Sequence, residues 1–84
     1  MRKFDIVMFN GQRHLLGERV ISYFDNGYKA LNLDRPSQVG RNKAHYSHVF
    51  IDFRDFDKCQ FVRRTTQEER EEMFLPALYW LGGK

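Results

Sequence analysis

Apolar residues crowd the segment KFDIVMF, residues 3–9, and the run stops at Asn10-Gly11. A run rich in Val, Ile and Phe that ends in Asn-Gly predicts a strand followed by a tight turn. RVISYF, DNG and YKALNL, residues 19–33, predict a hairpin with Asn26-Gly27 at its two-residue loop. That register puts Val20, Ser22, Phe24, Leu31 and Leu33 on one face and Ile21, Tyr23 and Ala30 on the other. One face is then almost wholly apolar, as a half-buried antiparallel pair requires. Residues 12–17, QRHLLG, admit two readings: a strand ending in a bulge at Gly17, or a helix through Leu15, Leu16, Arg19, Val20 and Phe24. Gly17 would weaken that helix by about 1 kcal/mol. The β-branched pair Val20-Ile21 also favours the strand.

Residues 34–46 are polar, contain Pro36 and Gly40, and predict the longest loop. SHVFIDF then alternates, with Val49, Ile51 and Phe53 on one side and His48, Phe50, Asp52 and Arg54 on the other. RDFD predicts a turn, and KCQFVRR the returning strand. A helix follows. Thr66 and Glu69 have capping-box spacing, and Glu68, Glu69, Glu71 and Glu72 place negative charge where the helix dipole favours it. Phe74, Leu78 and Leu81 mark its buried stripe, Pro76 kinks or divides it, and Gly82-Gly83 ends it. The expected architecture is α+β: an antiparallel β-meander of about four to five strands packed by one C-terminal helix, residues 1–84 forming one compact domain.

Charge sharpens this picture. Residues 1–47 hold eight Lys/Arg and four Asp/Glu, a net of +4, whereas residues 48–84 hold six and seven, a net of −1. The asymmetry permits a basic face toward an acidic partner. The single cysteine, Cys59, rules out an intrachain disulfide and a cysteine-rich zinc site. No stretch approaches the roughly 20 apolar residues of a membrane span, and Asp5 breaks the N-terminal apolar run before it can serve as a signal peptide. A soluble, cytoplasmic protein is expected.

Candidate chemistry is sparse. His45 and His48 have H-x-x-H spacing, which on a strand sends them to opposite faces, so no metal site is expected. Asp52, Asp55 and Asp57 sit where a turn is predicted, and aspartate is a preferred turn residue. Cys59 with His48 lacks an orienting third group, and Ser22, Ser37 and Ser47 lack a nucleophile-elbow context. There is no dinucleotide fingerprint and no P-loop. No catalytic residue, metal or cofactor is therefore expected.

Two surfaces stand out. Thirteen aromatics are a large load for 84 residues, and Met73, Phe74, Leu75, Leu78, Tyr79, Trp80 and Leu81 exceed one helical face. Tyr79 and Trp80 are the expected overflow, suited to anchor a protein partner or a second copy. Arg35, Arg41 and Lys43 line the long loop, with His45 and Tyr46 at its exit. Basic residues beside aromatics suit a phosphate backbone and a stacking base. The leading expectation is a small non-enzymatic regulator or inhibitor acting through a protein-interaction surface. By analogy of size and style it matches small phage or mobile-element accessory proteins. The second reading is a nucleic-acid-binding protein using residues 35–48. A metal-dependent nuclease built on Asp52, Asp55 and His48 is a remote third.

Overall fold

The computed structural model describes residues 1–36 and 46–74. Five strands form one antiparallel sheet: β1 (Asp5–Phe9), β2 (Gln12–Ile21), β3 (Asn26–Pro36), β4 (Tyr46–Asp52) and β5 (Gln60–Arg64). A 3-10 helix (Phe53–Lys58) joins β4 to β5, and α1 (Gln67–Phe74) follows β5. The spatial order is β4-β3-β2-β1-β5. The first four strands are the expected meander. The fifth is not, because β5 leaves β4 and pairs antiparallel with β1 at the opposite edge.

Several local signals act as the sequence predicts. Asn10 and Gly11 both take positive φ, 54° and 75°, and close the β1–β2 hairpin between Phe9 and Gln12. Residues 12–17 are strand. The β2–β3 register slips between Leu16 and Arg19, with Leu16 facing Ala30 and Arg19 facing Tyr28. One extra residue is thus absorbed at Gly17-Glu18, the expected bulge. At α1, the Thr66 amide donates to Glu69 Oε1 at 2.9 Å, and the Glu69 amide donates to Thr66 Oγ1 at 3.2 Å. This is a reciprocal capping box. The helix meets the body through Arg70, whose guanidinium lies 4.5 Å from the Phe4 ring centroid and donates to Thr65 Oγ1 at 3.0 Å. Pro76, Leu78 and Leu81 lie outside the described residues.

The β2–β3 turn differs from expectation. Its last ladder pair is Ile21 with Asn26, so the loop is Ser22–Asp25, and Asn26-Gly27 belong to β3. The Ser22 amide and hydroxyl donate to the Asp25 carbonyl at 2.9 and 3.0 Å, and the Asp25 amide donates to Ser22 Oγ at 2.9 Å. The Ser22 side chain thus closes the turn on the Asp25 backbone. Gly27 has another task. A Cβ there would collide with the Ile51 carbonyl oxygen and lie 2.9 Å from the Asp52 Cα, so glycine is what lets β4 approach. Val20 still shares a face with Leu31 and Leu33, but Phe24 sits in the loop and joins neither face.

The central strands are buried on both sides. Ile6, Leu15, Leu31 and Leu33 form one cluster, with Tyr46 packed against it. Val7, Leu16, Tyr28, Ala30, Ile51 and Cys59 form the other, flanked by Phe9, Val49, Phe53 and Phe56. Val7, Leu15, Leu16, Leu31 and Ile51 are fully enclosed. Each contributes roughly 1.5–3 kcal/mol by leaving water. The 3-10 helix lies over the second cluster, held by Asp52, whose carboxylate accepts the Arg54 amide at 2.9 Å.

The N-terminal turn ties distant elements together. Phe4 takes φ 76°, a conformation costly for a bulky residue. It is held by its amide donating to the Leu16 carbonyl at 2.8 Å, and by its carbonyl accepting the Thr65 amide and hydroxyl at 3.0 and 2.7 Å. Asp5, buried, accepts the Arg2 amide at 2.9 Å and Arg64 at 3.0 Å.

Gly27→Ala must push β4 outward and should cost about 1–3 kcal/mol. Urea unfolding reads this directly, and an unchanged midpoint would show that β4 yields freely. Acid should act in two steps. Burial lowers the pKa of His14 from its ordinary 6.5, so the unfolded chain takes the proton first, and stability falls as the pH drops below 6.5. Arg63 and the Thr66 amide hold Glu69 at about 2 instead of 4.5, so its contribution is present above 4.5 and lost between 4.5 and about 2. Thermal melts against pH should show the first slope vanish in His14→Gln and the second in Glu69→Gln. If both slopes persist in these variants, other groups carry the acid sensitivity.

Candidate protein-binding surface

The β2 bulge decides which side chains reach the second face. In a regular strand, residues an even number apart share a face, so Leu16 would be followed by Glu18. The extra residue reverses this parity beyond the bulge. Arg19 and Ile21 then join Leu16 on the face of Tyr28 and Ala30. Glu18 instead pairs with Lys29 at 3.3 Å.

On that face a shallow depression of about 390 Å³ is lined by Met1, Arg19, Tyr28, Phe53 and Phe56. Phe53 and Phe56 are three apart on the 3-10 helix, where such residues eclipse each other. Tyr28 stacks on Phe56 with centroids 5.5 Å apart and 11° between the planes. Phe53 meets Tyr28 and Phe56 edge-on at 5.8 and 5.3 Å. The Arg19 guanidinium lies 5.5 Å from the Phe53 centroid. Among the described residues, no carboxylate pairs with Arg19. The cations of the 3-10 helix are engaged: Arg54 with Asp52 at 3.3 Å and Lys58 with Asp55 at 3.6 Å.

Beyond Arg19 the strand continues to Ile21 and the Ser22–Asp25 loop. There Tyr23 and Phe24 contact each other edge-to-face at 4.8 Å, and are 91% and 85% exposed. Ile21 is exposed on the face that carries Arg19 and Tyr28. A hairpin tip with two exposed rings therefore adjoins an aromatic depression whose guanidinium meets no carboxylate among the described residues.

Of the residues marked by sequence, those the structure describes fall elsewhere. Arg35 is exposed near the end of β3. Tyr46 is half-buried against the Ile6–Leu15–Leu31–Leu33 cluster. Arg41, Lys43, His45, Tyr79 and Trp80 lie outside the described residues. His48 is exposed on β4. His14 is buried, beside Phe9 at 5.7 Å, with its Nδ1 2.9 Å from the Gln12 carbonyl. Asp52 caps the 3-10 helix and Asp55 stands in its first turn. Cys59 is buried in the second cluster, and its thiol pKa is pushed up by burial and by Asp55 and Asp57. Such a thiol is a poor nucleophile. No group of three or more His, Cys, Asp or Glu among the described residues could hold a metal ion. No described helix is long and apolar enough to cross a membrane.

Sequence reasoning passed over Arg19, Tyr23, Phe24, Tyr28, Phe53 and Phe56. The available signal was Ser22, whose hydroxyl closes a loop around two aromatics on the backbone of residue 25. Comparison of the chain with protein-family models, curated proteins and solved structures finds no match.

Proposed function

We propose that this chain is a small non-enzymatic binding protein, a regulator or inhibitor, that docks the β2–β3 tip and the adjoining aromatic depression onto a partner protein. The observation that carries this reading is the exposure of Tyr23 and Phe24. Burying either ring would yield roughly 1.5–3 kcal/mol, and a solvated turn needs neither. Protruding aromatics at a rigid hairpin end are the side chains that dominate binding energy in protein interfaces. A partner or a second copy of the chain would cover them. Tyr79 and Trp80 remain candidates for the same kind of contact. The nucleic-acid reading, through Arg35, Arg41, Lys43, His45 and Tyr46, rests on the basic composition of that segment.

The test is capture from a lysate of the source cell by the tagged protein, with and without nuclease, in parallel with a Tyr23→Ser, Phe24→Ser double variant. Both positions are exposed, so the variant should melt within about 0.5 kcal/mol of the parent per site. Capture of a defined partner should survive nuclease and be lost with the double variant. Loss on nuclease treatment would transfer the function to the basic segment. Capture that ignores both treatments would remove the tip from the interface.

A further inference from the structure

We infer that the depression beside the tip is an anchor pocket for an acidic, ring-bearing segment of the partner: a carboxylate meets Arg19 while a neighbouring aromatic side chain lies on Tyr28, Phe53 and Phe56. This rests on the protein-binding reading and names the chemistry that the surface selects. The Arg19 guanidinium carbon lies 5.5 Å from the Phe53 centroid, and a cation over a ring face keeps its N–H donors available to an acceptor. No carboxylate among the described residues accepts from them. Asp52 is engaged by Arg54, Asp55 by Lys58 and Glu18 by Lys29. The pocket thus offers one planar guanidinium beside a ring, and its fork of donors suits a carboxylate held by two parallel hydrogen bonds.

The rest of the lining fixes what must accompany the carboxylate. Tyr28 and Phe56 stack nearly parallel and Phe53 stands edge-on to both, so the lining is an apolar corner of three rings. An incoming ring can extend that array at the same 4.5–7 Å spacings that aromatic pairs favour. The depression is open and about 390 Å³, room for one or two side chains of a larger partner, whereas a small-molecule site encloses most of its ligand. Because Tyr23 and Phe24 project beyond Arg19 along the same hairpin, a segment seated here would pass directly under the tip.

The experiment is an NMR titration of isotope-labelled protein with acetyl-Phe-Glu-Phe-amide, its Gln and Lys counterparts, and a single-stranded oligothymidylate. The acidic peptide should shift the Arg19 Nε–H and the Tyr28, Phe53 and Phe56 ring signals, and bind roughly tenfold more tightly than the Gln peptide, the worth of one charge-assisted pair. Arg19→Gln should erase that preference while the remaining spectrum stays in place. Equal affinity for the Glu and Gln peptides overturns the inference, as does an absence of shifts at these residues with the acidic peptide. Shifts with the oligonucleotide in place of the peptide overturn it in favour of nucleic acid. Lysate capture through Tyr23 and Phe24 does not depend on Arg19, so the inference can fail while the binding function stands. Loss of capture selectivity at the tip would strike that function alone.

Discussion

Leu15 and Leu16 are neighbours in one strand, point to opposite faces and are both fully buried. That constraint organises the rest of the chain. A sheet with one apolar face can leave the other to water, but one whose central strands are apolar on both faces must be covered twice. On the face of Leu16 the cover is the segment between β4 and β5. Its 3-10 helix brings Phe53 and Phe56 against Tyr28, and Cys59 completes the cluster with Val7 and Ile51. In laying down that cover the chain crosses to β1, so β5 adds to the far edge. The departure from a simple meander and the burial of the second face are one event.

The candidate surface is a by-product of the same cover. A six-residue 3-10 helix cannot span the whole face. It hides Tyr28 from one side and leaves the outer margin of the ring cluster open. The bulge at Gly17-Glu18 then turns Arg19 toward that margin, because it reverses the side-chain alternation of the outer half of β2. Gly27 allows β4 to lie close enough to launch the 3-10 helix from Asp52. A turn, a bulge and a close approach therefore converge on one depression.

How much of this could be read from the sequence depends on the range of the interaction. Asn10-Gly11, the bulge at Gly17, the Thr66–Glu69 capping box and the alternation of Val49 with Ile51 are local, and each is written in adjacent residues. The pairing of β1 with β5 joins Asp5 to Arg64 and has no local signature. The Asn26-Gly27 turn signal was misleading because glycine serves both tight turns and close backbone approach, and only the position of β4 distinguishes them. Placing the turn at Asn26-Gly27 extends the apolar alternation through Tyr23 and Phe24, whereas the Ser22–Asp25 loop takes them out of the strand. Arg19 was hidden for a related reason, since its face depends on a one-residue shift that pattern matching tolerates poorly.

Electrostatics complete the contrast between scaffold and surface. Asp5, Glu18, Asp34, Asp52, Asp55 and Glu69 each hold a cation. Arg13 grips Asp34 through both side chain and backbone amide, and keeps its carboxyl below the usual range. The exposed pairs among them, Asp5–Arg64 apart, contribute little to stability, about 0–1 kcal/mol each. Their larger effect is on recognition. They engage Arg13, Lys29, Arg54, Lys58, Arg63 and Arg64, and leave Arg19 without a carboxylate partner among the described residues. A continuous patch attracts any polyanion, whereas a single guanidinium fixed over a ring discriminates by geometry. Arg19, set between three rings and two exposed aromatics, is the described cation whose surroundings most favour that kind of selective contact.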